Sequence, residues 1–144
     1  MLAVVQSPDP RLHEVSRPVR EDEFGPELDA RMDEMVDTLR AERGAGLAGV
    51  QVGDLRRIIL VHIGPGTEPE KMVNPVVVAA SKLTRLDTEG CLSFPNRKVT
   101  KPRARQVTVE YRSPLGEVRK VTLFNFEARC VLHEIDHLNG KTIL

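Results

Sequence analysis

A chain of 144 residues is long enough to bury a core without disulfides and short enough to form one domain. Its 21 Lys and Arg balance 21 Asp and Glu, which excludes the basic excess of a nucleic-acid binder, and its hydrophobic fraction of 40% is that of an ordinary globular protein. No apolar run approaches the roughly 18 residues of a membrane span, and residues 1–6 are too short and lack the basic lead-in of a signal peptide, so a cytoplasmic setting and no membrane partner are expected.

Taken in chain order, the opening stretch carries Pro8, Pro10 and Pro18 and reads as extended chain feeding a helix. That helix is predicted over 26–43, where Leu28, Met32, Met35, Val36 and Leu39 recur at spacings of three and four. Pro26 suits its first position and Gly44 its stop. The Gly-rich run 44–51 reads by itself as a connector. Residues 57–63 and 72–78 are β-branched runs, and 106–112 and 118–124 alternate apolar and polar side chains. Ser113-Pro114-Leu115-Gly116 between the last two supplies turn chemistry, so they read as a hairpin. Arg97, Lys98, Lys101, Arg103 and Arg105 read as a solvated strand edge rather than a polyanion site. A second helix is predicted over 126–138, with Asn125 as its cap and Gly140 past its end. The expected fold class is therefore α+β: small antiparallel or mixed β-sheets around a central C-terminal helix, with a second, N-terminal helix, and residues 1–144 forming one catalytic domain.

The chemistry concentrates on that last helix. His133 and His137 lie four apart and share a face, so both can present a nitrogen to one metal ion, with Glu134 beside them to take a proton from a metal-activated water. Catalytic sites of this kind usually hold three protein ligands. The seven residues after His137 contain no His, Cys, Asp or Glu, so the third ligand lies upstream. In a reducing compartment Cys91 and Cys130 read as thiols or ligands rather than a bridge. Cys91 is the better ligand, because the adjacent Gly90 permits a close backbone approach and leaves the sulfur accessible. Cys130 is the rival, but it lies about 10 Å along the helix axis from position 137, and three collinear donors would not readily surround one ion. It reads instead as an apolar pocket wall.

Three segments, GAGLAGVQ at 44–51, EGCLS at 89–93 and HEIDH at 133–137, match in order and spacing the GxGLAAxQ, EGCLS and HExDH pattern of the peptide deformylase family, which the whole chain resembles. The resemblance implies a metallohydrolase of a linear amide that removes the N-formyl group from the formyl-methionine of new proteins and releases formate. It implies Cys91, His133 and His137 as ligands of one divalent metal, usually Fe²⁺, with Zn²⁺, Ni²⁺ and Co²⁺ as alternatives. It implies Glu134 as the general acid and base, Gln51 and the Leu92 N–H as oxyanion donors, and Gly46 as a backbone contact to the peptide. Ala45, Leu92, Arg129 (through its stem) and Cys130 fall where the family lines its methionine pocket. Asp136 is expected to orient a ligating histidine or cap the fold.

The partners this implies are nascent formyl-methionyl peptides, with weak ribosome contact expected because the family's helical tail is shorter here. Three positions depart from the pattern. Gly49 replaces a second alanine and is expected to loosen the loop before Gln51, Leu132 replaces a glutamine, and Asn125-Phe126 replace a Gly-Leu-like approach. They bear on substrate preference and rate. Two rival readings are a related hydrolase acting on a small N-formyl metabolite, motivated by Gly49 and Leu132, and a metal module without catalysis. Three ligands rather than four weigh against the second.

Overall fold

In the computed structural model, which describes residues 1–64, 66 and 68–144, the apolar stripe of the first helix faces inward. Helix α1 (Pro26–Glu42) carries Pro26 in its first turn and buries Leu28, Met32, Met35, Val36 and Leu39. Its stop is not Gly44. Arg43 itself takes the left-handed conformation (φ 54°), which costs a side-chain-bearing residue about 1–2 kcal/mol. Ahead of α1 the chain is extended, interrupted by short 3-10 turns at Pro10–His13 and Glu21–Glu23.

Among the described residues seven strands follow: β1 (Gly46–Ala48), β2 (Ile58–Val61), β3 (Glu70–Ala80), β4 (Thr84–Cys91), β5 (Phe94–Ala104), β6 (Gln106–Arg112) and β7 (Val118–Phe124). Five form one sheet in the order β1-β2-β3-β6-β7, and β4 and β5 form a second. Every ladder among these strands is antiparallel. Strands β6 and β7 keep the bounds read from the sequence, and their turn closes through Gly116 N–H donating to Ser113 O at 2.9 Å. Gly116 sits at φ 101°, a region open to glycine.

The apolar run of β2 has a direct cause. Ile58 and Leu60 pack with Leu28, Met32 and Leu39 of α1, while Ile59 and Val61 pack on the other face with Val131, Ile135 and Leu138 of the final helix. A strand covered on both faces has no polar alternation to keep. Each such side chain, fully buried, contributes roughly 1.5–3 kcal/mol.

The final helix, α2 (Asn125–Leu138), contacts β1, β2, β5, β6 and β7, which gives it the central place expected of it. Its start differs from expectation. Asn125 is not a cap: it is the first residue of the helix at φ 52°, its N–H donates to Arg105 O, and no side chain caps the end. Past the other end Gly140 sits at φ 76°, where a Cβ would lie 2.6 Å from His13 O, so both conformation and space require glycine. No helix of the described residues is long and apolar enough to cross a membrane.

The β4–β5 pair carries a further correction. Arg103 does not belong to a solvated edge. Its side chain is 9% exposed and lies between Glu89 and Asp136.

Candidate metal and catalytic site

The two helical histidines point into one corner with Cys91. Cys91 Sγ lies 3.3 Å from His137 Nε2, and the two Nε2 atoms are 3.2 Å apart. Cys91 comes from the end of β4, whereas both histidines come from successive turns of α2, so the corner is assembled where the small sheet meets the helix. Metal–nitrogen and metal–sulfur bonds of about 2.0–2.3 Å in a tetrahedral arrangement separate donors by about 3.3–3.6 Å, close to the spacing found here. The three donor atoms all lie within 4.8 Å of one another, and among the described residues this is the grouping suited to one ion. Cys130 stands outside it. Burial, then Glu134, pushes its thiol up to about 12, so it stays protonated.

The tautomer of His133 follows from its neighbour. His133 Nδ1 donates to Glu89 Oε1 at 3.0 Å, which leaves its Nε2 lone pair facing the cluster. Burial alone would raise the Glu89 carboxyl, but His133 and Arg103 outweigh it and hold the group below the usual carboxylate range. Glu89 is further gripped by Arg103 Nε and Nη2 (2.8 and 3.0 Å) and by Arg129 Nη1 (2.6 Å). Asp136 orients no histidine; its Oδ2 receives Arg103 Nη1 at 2.6 Å. The histidine-orienting role read for Asp136 thus falls to Glu89. A period-two reading of the EGC segment would have found it, since positions 89 and 91 share a strand face. Burial, the largest influence on His137, pushes its imidazole down and favours the neutral form. A buried, neutral imidazole is the ligand form.

Glu134 is buried, and burial raises its carboxyl to about 7. Its Oε1 meets no hydrogen-bonding partner among the described residues, nor does His137 Nδ1. The other oxygen explains Gly46: a Cβ there would lie 2.6 Å from Glu134 Oε2 and 3.0 Å from Leu60 O. Gln51 closes the corner. Its Oε1 accepts Ala48 N–H at 2.9 Å, which turns Nε2 toward Ser93 Oγ (3.2 Å) and Cys91 Sγ (3.5 Å). The Gly-rich run is therefore no connector. It forms β1 and a 3-10 turn, Gly49–Val52, that fixes this amide.

A cavity of about 460 Å³ opens beside these groups, and Ala45, Gly46, Gln51, Cys91, Leu92, Arg129, Cys130, His133 and Glu134 all line it. The guanidinium of Arg129 is engaged by Glu89, Arg85 O and Lys101 O. Gln6, Glu42, Thr88 and Pro95 also line the cavity, and the sequence carried no signal for them. At Gly90 the expected close approach is absent; a Cβ there would meet nothing within 4 Å. Gly49 does not loosen its loop, since a Cβ would lie 2.8 Å from both Asp54 O and Ile58 Cγ1. Of the three departures from the family pattern, only Phe126 reaches the cavity; Leu132 packs against the core.

Residues 1–144 match the family model described as polypeptide deformylase. A peptide deformylase of Rickettsia akari is 34% identical over 100% of this chain and 86% of its own length. The crystal structure of peptide deformylase from Thermotoga maritima superposes with a TM-score of 0.93 at 34% identity, covering 99% of this chain and 95% of that one. A Met-Ala-Ser-bound class I type b peptide deformylase from Acinetobacter baumannii gives a TM-score of 0.93 at 33% identity, covering 99% and 97%.

Proposed function

The chain belongs to the polypeptide deformylase family and is a hydrolase that removes the N-formyl group from new peptides, and from that premise we propose how its own residues divide the work. Cys91, His133 and His137 hold one divalent ion, Fe²⁺ by family habit, although a thiolate and two imidazoles also suit Zn²⁺, Co²⁺ or Ni²⁺. When bound, such an ion supplies Lewis acidity and lowers the pKa of water toward neutrality.

The remaining chemistry falls to side chains. Glu134 takes a proton from the attacking water onto a buried carboxylate oxygen, holds it while the formyl carbon becomes tetrahedral, and delivers it to the departing amine nitrogen. General-base assistance of this kind is worth about 10²–10⁴-fold. Gln51 Nε2 and the N–H of Leu92 receive the developing oxyanion, each donor contributing about 2.7–4 kcal/mol in a preorganised site. Gly46 leaves room for Glu134 and offers its backbone to the peptide. Ala45, Leu92, Arg129 and Cys130 form walls for the methionine side chain, with Arg129 contributing its stem because its guanidinium is engaged.

The observation that carries this reading is the convergence of three donors, a buried carboxyl with an unpartnered oxygen and an oriented amide at one cavity wall. We propose that residues 1–144 work as one catalytic domain on nascent formyl-methionyl peptides in the cytoplasm. The rival small-metabolite reading loses its motive, because neither Gly49 nor Leu132 borders the cavity. Formate release from formyl-Met-Ala-Ser, compared with release from a formylated amine lacking the methionine side chain, tests the proposal. Preference for the peptide supports it, and preference for the small amine overturns it. Metal analysis of anaerobically purified protein tests the assignment of Fe²⁺.

A further inference from the structure

The two oxyanion donors come from different parts of the chain, Gln51 from the turn after β1 and Leu92 from the turn between β4 and β5. One short segment bridges them. Val5 N–H donates to Gln51 O at 2.6 Å, and Ser7 N–H donates to Ser93 O at 3.0 Å. Between these two bonds Gln6 Nε2 donates to Leu92 O at 3.1 Å. Gln6 also lines the cavity, beside Gln51 and Leu92.

From this bridge we infer that Gln6 is a positioning residue for the oxyanion-stabilising pair, acting through the backbone of Leu92. On either side of Leu92, neighbours are fixed by side chains: Cys91 Sγ lies against His137, and Ser93 Oγ accepts from Gln51. The Leu92 carbonyl is held by Gln6. Without that tether the Leu92 backbone loses a fixed point beside the cavity, and a shift of the whole residue carries its own N–H away from its aim. Oxyanion donors work only within a narrow range of about 2.7–3.1 Å, so a small shift is costly. Although Gln6 is exposed in the free protein, a peptide filling the cavity shields its bond from water. The inference rests on the proposed roles of Gln51 and Leu92.

Full-length, metal-loaded protein tests it with three substitutions and formyl-Met-Ala-Ser as substrate. Gln6→Met keeps length and removes the donor, Gln6→Glu keeps shape and faces the carbonyl with a second acceptor, and Gln6→Lys restores a donor. The expected result is a fall in kcat of about five- to thirtyfold for Gln6→Met, a larger one for Gln6→Glu, and KM changed by less than about twofold in both. Metal content and thermal midpoint stay at the unsubstituted values, and Gln6→Lys regains most of kcat. Unchanged kcat in Gln6→Met overturns the inference, as does a loss confined to KM or a Gln6→Lys protein as slow as Gln6→Met. Should Gln6→Met fail to fold, the comparison of Gln6→Lys with Gln6→Glu decides, since equal kcat in those two overturns it. Formate release by the unsubstituted protein separates the two layers. Its absence removes the proposed reaction and the inference together, whereas equal rates across the variants remove the inference alone.

Discussion

Gly46→Ala is the substitution whose consequences follow most directly from the geometry. The added methyl carbon would lie 2.6 Å from Glu134 Oε2, 3.0 Å from Glu134 Cγ and 3.0 Å from Leu60 O. Separations of this kind are well inside ordinary carbon–oxygen contact, so something must move. The backbone of β2 is held by two ladders, which leaves the Glu134 side chain to give way. A displacement near 1 Å from a catalytic alignment costs about a hundredfold, and overpacking of a buried site costs about 1–3 kcal/mol. We therefore expect kcat for formyl-Met-Ala-Ser to fall by about a hundredfold, with metal content unchanged. The assay is a double-substitution cycle with Glu134→Ala. Removing the carboxyl first takes away the contacts with Glu134 and leaves only the one with Leu60 O, so Gly46→Ala in that background changes the residual rate little and destabilises less than in the unsubstituted protein. An equal fold-loss in both backgrounds would refute the steric argument and place the effect on the peptide instead.

Three further expectations follow from other parts of the molecule. Glu89→Gln leaves Arg103 and Arg129 facing a neutral group and weakens the orientation of His133; metal affinity in a chelator competition falls about 10–100-fold, and denaturant unfolding shows a loss of about 3–5 kcal/mol. Arg43→Gly relieves the left-handed strain at the end of α1 and raises stability by about 1 kcal/mol, read as a thermal midpoint higher by about 3 °C. Burial opposes ionisation of Asp54, but Arg56 and Arg31 overcome it and hold its carboxyl below the usual value. A depressed carboxylate stabilises the fold above its unfolded pKa of about 3.9 and loses that contribution as pH falls further, so Asp54→Asn flattens the acid limb of the midpoint–pH curve below about pH 4.

Much of this architecture was legible because hydrophobic pattern wrote it. The stripe from Leu28 to Leu39, the doubly buried Ile58–Val61 and the alternation of β6 and β7 are each direct traces of which faces touch the core. The β4–β5 pair escaped that signal because what it turns inward is charged. Glu89 and Arg103 satisfy each other, and a salt-bridged interior leaves no apolar period to read. For the same reason the basic cluster was read as uniformly solvated, though the side chain of Arg103 is largely covered. Short-range backbone conformation was equally silent: Arg43 and Asn125 occupy left-handed positions that sequence preference would assign to Gly44 or to a cap. The donor triad was legible from HEIDH and EGCLS, since four-residue spacing on a helix fixes where His133 and His137 point. The grip of Arg103 and Arg129 on Glu89 and the bridge through Gln6 were not, because both join positions far apart in the chain.

The proposed reaction depends most directly on Glu134 as the group that carries the proton. Replacing it by glutamine keeps size and shape, removes the basic oxygen and touches none of the three donors. Metal content by elemental analysis and formate release from formyl-Met-Ala-Ser should be measured together on Glu134→Gln and the unsubstituted protein. Retained metal with release lowered by at least about a hundredfold is the expected result. Retained metal with release near the unsubstituted rate would contradict proton transfer by Glu134.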